Sequence, residues 1–264
     1  MKAQLVELWH YRELYWTLVY RDFKVLRRNT VLGIFWVLVK PLATSLALII
    51  AIRGLGAQPV HKTVEAHYPI FVLLNVILWQ FFSRVVTQTS LSLVVNQDLI
   101  KKIYFPRSLL PLVPVPAVLG DLSLGLALCV VSTYVFQLPI NAHVFVIVLG
   151  TIFLLIFALA IGTILSIFNC VVRDVSYALP YALQIFFLFT PIVYSVNTII
   201  PENYRSYIYL NPLAVIFSSI QDSLFSTKTT PAGARTVAVI VILSIFFLAV
   251  LTYRKLEARV IDRL

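Results

Sequence analysis

Three charged side chains interrupt stretches of the sequence that are otherwise apolar, which makes them the first candidates for chemistry. They are Lys40, Arg84 and Asp121. A charge in such a stretch costs roughly 2.5–3.5 kcal/mol to insert into a membrane, so it usually has a function or a partner. Asp121 is the only acidic residue deep in one of these stretches, whereas ion-coupled transport usually requires a relay of carboxylates or histidines. We therefore expect Asp121 to pair with Arg84 or Lys40 between helices.

Motifs for nucleotide and metal chemistry are missing from the sequence. It contains no G-x-x-x-x-G-K-[ST] loop and no G-x-G-x-x-G among its eight glycines. Its four histidines form no H-E-x-x-H pair. We expect no cofactor, metal or ATP to bind to this chain itself. A membrane-embedded enzyme would need polar groups within reach of one another, and the sequence shows no tight cluster.

Composition indicates a protein that is embedded in a lipid membrane. Of 264 residues, 60% are hydrophobic and 12% charged, whereas soluble domains carry about a quarter charged residues. Long apolar runs without strict alternation predict helices and exclude a membrane barrel. The expected fold class is an all-α integral membrane protein, a single domain over residues 1–264. Six spans are predicted, near 30–53, 68–95, 108–137, 143–169, 176–199 and 236–253.

Basic residues beside these spans predict the orientation. With six crossings, fourteen Lys and Arg residues lie on the side of both termini and four on the other. We therefore expect both termini in the cytoplasm. This bias also explains the net charge of +10, so no nucleic-acid partner is expected. The first sixteen residues carry charges and aromatics, so we expect no cleavable signal peptide.

Three segments outside the predicted spans have distinctive patterns. Residues 5–28 repeat apolar side chains at helical spacing between basic ones, which predicts an amphipathic helix in the membrane interface. In 96–116, Asn96 is a candidate helix cap, and four prolines predict an irregular entry into the third span. Residues 201–226 are apolar but interrupted by proline, which suits short re-entrant or interfacial helices.

Four strings of the sequence resemble one family of transporters. They are YRDFKVLRRNTVLGIFWVLVKPL at 20–42, LIKKIYFPRSLLPL at 99–112, FNCVVRDV at 168–175, and FFLFTPIVYSVNTIIPENYRSYIYLNPLAVI at 186–216. Their order and spacing are similar to those in the permease subunits of type-2 ABC exporters for surface polysaccharides, the group that exports O antigen and teichoic acid.

The resemblance implies a transport subunit in the cytoplasmic (inner) membrane of a bacterium. Two copies would form one pore, each bound to a cytoplasmic ATPase that holds ATP and magnesium. The substrate would be a polysaccharide on a lipid carrier, and 201–226 would form gating helices at the outer face. The interface helix and the 96–107 connection would meet the ATPase. The residues expected to couple to it are Arg21, Lys24, Asp98, Lys101, Lys102 and Arg107.

A second set of residues is expected along the substrate path. Aromatic side chains can stack on sugars, and cationic ones suit a carrier phosphate. The set comprises Arg27, Arg28, Phe35, Trp36, Phe186, Phe189 and Tyr194. Two alternatives remain open: an exporter of the same architecture for a small lipid or drug, and a membrane-embedded enzyme of glycan assembly. Convergence of Lys40, Arg84 and Asp121 on a cavity with bound substrate would favour the enzyme.

Overall fold

The computed structural model describes residues 11–27, 33–56, 58, 60, 62–65, 67–136, 144–172, 174–225, 227 and 230–261. Every regular element in these ranges is helical, which confirms the all-α class. In chain order the helices are α1 (Arg12–Arg27), α2 (Trp36–Gly54), α3 (Lys62–Glu65), α4 (Tyr68–Val95), α5 (Gln97–Lys102), α6 (Val115–Val135), α7 (Val144–Val171), α8 (Asp174–Phe189), α9 (Val196–Ile199), α10 (Glu202–Ile208), α11 (Pro212–Phe225) and α12 (Ala232–Ile261). Two 3-10 helices, Gly33–Phe35 and Arg107–Leu112, precede α2 and α6.

Five helices in the described ranges are long and apolar enough to cross a membrane, namely α2, α4, α6, α7 and α12. The chain is therefore a multi-pass membrane protein. The segment 176–199, expected as a further span, contains most of α8, which has 16 residues, and the four-residue α9. At 1.5 Å per residue, α8 is about 24 Å long, so a crossing of the roughly 30 Å hydrocarbon layer here also needs the backbone that follows α8.

The central helix of the bundle is α4. Of its 28 residues, 19 are buried, because α2, α6 and α7 all pack against it. Small residues allow this close packing. A Cβ atom on Gly162 of α7 would lie 2.7 Å from the Cβ of Thr89, and one on Gly125 of α6 would lie 2.8 Å from Cγ2 of Ile77.

The chain after α8 is irregular but well hydrogen-bonded. Pro191 has no amide hydrogen to donate, and the helix ends two residues before it. Three side chains donate to carbonyls that no helix pairs: Gln221 to Pro191 at 2.7 Å, Asn75 to Ile192 at 3.0 Å, and Tyr68 to Val193 at 2.9 Å. Non-helical backbone is tolerated at membrane depth when protein groups pair it in this way.

The proline-rich entry to α6 is irregular for the same reason. Pro111 lies within the 3-10 helix Arg107–Leu112, and α6 begins only at Val115. The hydroxyl of Thr89 donates to the Pro111 carbonyl at 3.2 Å, and the hydroxyl of Tyr15 donates to the Leu112 carbonyl at 3.3 Å. Burial raises the pKa of Tyr15, so its hydroxyl remains a donor at neutral pH.

The two helices within 201–226 have different environments. None of the seven residues of α10 is buried, whereas nine of the fourteen residues of α11 are. Helix α11 packs between α7 and α12, where a Cβ atom on Gly150 would lie 2.8 Å from Ile220. Helix α11 is therefore part of the bundle, and α10 lies on its surface.

Candidate functional site

One end of the bundle joins segments that are far apart in sequence. Helix α1, the 96–113 connection and the end of α12 share a small apolar core. Its buried members include Leu18 and Val19 of α1, Ile100 of α5, Phe105, and Tyr253 of α12. The interface helix and the 96–113 connection, both expected to contact the ATPase subunit, therefore form one continuous surface.

Arg21 and Asn96 connect these two segments directly. The guanidinium of Arg21 donates to the amide oxygen of Asn96 at 2.7 Å and forms an ion pair with Asp22 at 2.8 Å. The amide nitrogen of Asn96 donates back to the carbonyl of Ser92 at 2.8 Å. The expected capping role of Asn96 is wrong, because its side chain makes no cap hydrogen bond to α5 and is used between the helices instead.

The remaining residues expected to couple to an ATPase lie on the same end. We call this set the basic end surface: Arg21, Lys24, Asp98, Lys101, Lys102 and Arg107. All except Arg107 are exposed, and Arg107 is half-buried. Ile103 and Tyr104, which sequence reasoning missed, project between Lys102 and Phe105 with Tyr104 86% exposed. Their only sequence signal is an apolar pair beside two lysines, a pattern common to many buried segments.

The three charges within the apolar stretches converge at the boundary between α2, α4 and α6. Arg84 of α4 and Asp121 of α6 form a hydrogen-bonded ion pair, with side chains 38% and 14% exposed. Lys40 of α2 lines the same space but forms no ion pair within the described part of the chain. The expected partner of Asp121 is thus Arg84, and Lys40 lies nearby.

Two adjoining cavities meet at these three residues. One has a volume of about 240 Å³ and is bordered by Trp36, Trp79 and Gln80. The other has a volume of about 580 Å³ and is bordered by Phe23 of α1 and Gln88 of α4. We call them together the charged cavity. The sequence showed no tight polar cluster because these groups come from three different helices.

The residues expected along a substrate path do not share one cavity. Trp36 lines the charged cavity, whereas Phe186 lines a separate apolar cavity of about 610 Å³ between α4, α7 and α8. Phe35 and Phe189 are exposed, and Tyr194 is half-buried. Arg28 lies outside the described residues. Arg27 ends α1, but its side chain lies outside the described set as well.

Comparison with known proteins adds a family to this geometry. Residues 13–225 match the model of the ABC-2 type transporter family. A protein of Myxococcus xanthus named O-antigen export system permease protein RfbA is 27% identical over 86% of this chain and 85% of its own length. A protein of the same name from Klebsiella pneumoniae is 30% identical over 79% of this chain and 78% of its own length. A second Klebsiella pneumoniae protein with that name is 28% identical over 75% of both chains. The family match covers most of the chain, including the basic end surface and the charged cavity, and the chain belongs to the ABC-2 type transporter family.

Proposed function

We propose that this protein is the transmembrane subunit of an ATP-driven exporter that moves a lipid-linked polysaccharide out of the cytoplasm. The observation that carries the proposal is the match to the three O-antigen export permeases over at least three quarters of this chain and of theirs. The substrate is O antigen or a related surface glycan such as teichoic acid. Bulk composition alone would fit many other membrane proteins.

The proposal requires a separate ATPase subunit, which would hold ATP and magnesium. The sequence has no loop that cradles phosphate, so the energy must come from a partner. We assign the basic end surface to that partner. Exposed Lys101, Lys102 and Tyr104 offer both charge and an aromatic anchor, a combination common at protein interfaces.

The orientation and assembly follow from this assignment. We count α8 and the irregular backbone after it as a sixth crossing, so the basic end surface lies in the cytoplasm with both termini, and the protein resides in the inner membrane of a bacterium. Two copies associate to enclose the passage. Exposed aromatic residues then face either lipid or the passage, and we assign Phe35, Trp36, Phe186, Phe189 and Tyr194 to the passage. Arg27 and Arg28 are assigned to its cytoplasmic mouth.

A membrane-embedded enzyme is the alternative that one observation favours. Lys40, Arg84 and Asp121 do border one cavity. However, an acid–base mechanism needs a group that is free to accept a proton, and the carboxylate of Asp121 is occupied by Arg84. Within the described ranges, no second carboxylate lines the cavity. Its chemistry therefore suits binding better than catalysis.

Deletion and reconstitution test the proposed function. Deleting the gene should abolish surface polysaccharide while lipid-linked glycan accumulates inside the cell. The purified chain should hydrolyse no ATP, and it should drive export in vesicles only with an ATPase subunit. Export by the chain alone, or normal surface glycan after deletion, would contradict the proposal.

The orientation is tested separately by cysteine labelling. Cysteines introduced at Lys102 and Tyr204 should react from opposite sides of the membrane, and reaction of Lys102→Cys from outside would contradict the proposed orientation.

A further inference from the structure

Among the described residues, those that line the charged cavity carry one positive charge more than negative charge. They include the cations Lys40 and Arg84 and a single anion, Asp121. Arg84 and Asp121 pair with each other, which leaves the ammonium of Lys40 without an acidic partner among the described residues. The side chain of Lys40 is exposed at the cavity, where a charge at membrane depth without a partner is costly. The geometry therefore points to an anion as the missing partner.

The position of the cavity indicates where such an anion would come from. Phe23 of α1 and Gly33 border it together with Arg84, so the cavity lies where the interface helix meets the spans. Lys40 is about 10 Å along the chain from Gly33 at helical rise. Lysine side chains extend toward the membrane surface from such positions. A lipid phosphate at the interface is consequently within reach of the ammonium.

The surroundings of the cavity favour an anion that is attached to an apolar chain. Ile34, Trp36 and Val37 line it beside the charges. Beyond Lys40, helix α2 presents exposed Leu46 and Ile50, so a hydrocarbon chain leaving the cavity would remain in apolar surroundings. A soluble anion would gain nothing from these contacts, whereas a lipid would bury its tail there.

We propose that the charged cavity binds the phosphate group of a lipid, with Lys40 as its principal contact and Arg84 held in place by Asp121. Charge-assisted hydrogen bonds to phosphate are about twice as strong as neutral ones. On the proposed function, on which this assignment of the lipid rests, the phosphate is the one that joins the glycan to its carrier. The site then recognises the carrier, which all glycans of one system share, and the sugar sequence is irrelevant to it.

The test uses the purified full chain in detergent and four probes. Farnesyl diphosphate combines phosphate with an apolar chain, farnesol lacks the phosphate, and inorganic diphosphate lacks the chain. Phosphatidylglycerol represents a bulk phospholipid. Binding is measured by native mass spectrometry for the wild type, for Lys40→Gln, and for Arg53→Gln as a matched control. Arg53 is an exposed cation at the opposite end of the same helix.

Farnesyl diphosphate should bind the wild type and Arg53→Gln equally and bind Lys40→Gln about tenfold more weakly, as expected for one lost charge-assisted contact. Farnesol and inorganic diphosphate should bind poorly. Displacement by phosphatidylglycerol would support the site and identify a membrane phospholipid as its occupant. Equal binding by Lys40→Gln, or equally tight binding of inorganic diphosphate, would overturn the inference. If the protein binds farnesyl diphosphate through Lys40 but exports no glycan, the phosphate site stands and only the proposed function is contradicted.

Discussion

Arg21 of the interface helix donates a 2.7 Å hydrogen bond to Asn96, the residue between the central helix α4 and α5. Helix α1, which we expect to lie in the membrane interface, is therefore connected to the helix that forms the middle of the bundle. We expect movement imposed on α1 from outside the membrane to reach the end of α4 through this contact and the apolar core beneath it. We therefore propose this hydrogen bond as a route for mechanical coupling.

Replacing Asn96 tests this route. Asn96→Ala removes the acceptor for Arg21, so ATP hydrolysis by the assembled exporter should become less dependent on transport substrate, by several-fold. Asn96→Asp retains an oxygen acceptor and should preserve coupling, because a carboxylate also accepts from a guanidinium. The measurement is substrate-stimulated ATPase activity in vesicles. Equal coupling in the Ala and Asp variants would show that the contact is only structural.

Charge reversal on the basic end surface tests the assignment of the ATPase partner. The double variant Lys101→Glu and Lys102→Glu should insert normally but export several-fold less glycan, because both side chains are exposed and support no core contact. Lys255→Glu is the matched control, an exposed lysine near the end of α12. Co-purification of the ATPase and cell-surface glycan are the two readouts. Wild-type export by the double variant would show that these lysines are not part of the ATPase interface.

The ion pair between Arg84 and Asp121 should stabilise the bundle. Asp121→Asn leaves Arg84 unpaired at an apolar boundary, and we expect a loss of about 1–3 kcal/mol in the free energy of unfolding. The double variant Arg84→Met and Asp121→Leu should recover part of the loss, since an apolar pair often replaces a buried ion pair without penalty. Thermal unfolding in detergent measures both. A double variant less stable than the single one would indicate that the pair has a further partner.

Close packing between α4 and α6 can be tested with two glycines on one helix. Gly125→Ala would place a Cβ 2.8 Å from Ile77 and should cost about 1–3 kcal/mol through overpacking. Gly120→Ala meets no atom within 4 Å and should be neutral or slightly stabilising, because alanine favours helix more than glycine. The comparison is made by melting temperature. Equal melting temperatures would mean that Ile77 moves aside freely.

The backbone break after α8 should depend on the side chains that pair its carbonyls. Tyr68→Phe removes only the hydroxyl that donates to the Val193 carbonyl, and a buried carbonyl left unpaired costs about 1–3 kcal/mol. Tyr207→Phe is the control, because Tyr207 is 69% exposed on α10. Amide hydrogen exchange should increase locally around Ile192 in the first variant. Unchanged exchange there would indicate that water replaces the hydroxyl.

Composition and local strings were sufficient to predict the all-α membrane class and the family. Helix ends were harder to predict, because apolar content continues past the point where hydrogen bonding changes. The run 176–199 reads as one span, yet Pro191 and the donors on α4 and α11 end α8 at Phe189. The backbone after Phe189 is paired by side chains that are distant in sequence, such as Asn75, which lies 117 residues from Ile192. Local sequence patterns do not contain such pairings.

The candidate site likewise combines features that the sequence predicts with features that only the fold shows. Residue type and apolar context identified Lys40, Arg84 and Asp121 as unusual, but only tertiary packing could show that Arg84 pairs with Asp121 and that Lys40 remains beside them. Likewise, Asn96 looked like a cap because of its position before α5, whereas its side chain binds Arg21 and Ser92. Sequence reasoning locates such groups, and their partners follow only from the fold.

Helix α2 packs against α4 and α6, yet Pro41 and Ser45 are the only buried residues among its nineteen. Burial of apolar surface is the main cohesive force between elements that pack, so α2 can be displaced at far lower free energy than α4. On the proposed function, a bulky sugar chain needs an opening at the side of the bundle that leaves the central helices in place. The first span, which carries Lys40 near the start of α2, is the helix that we expect to move, and we expect α4 and α7 to stay in place.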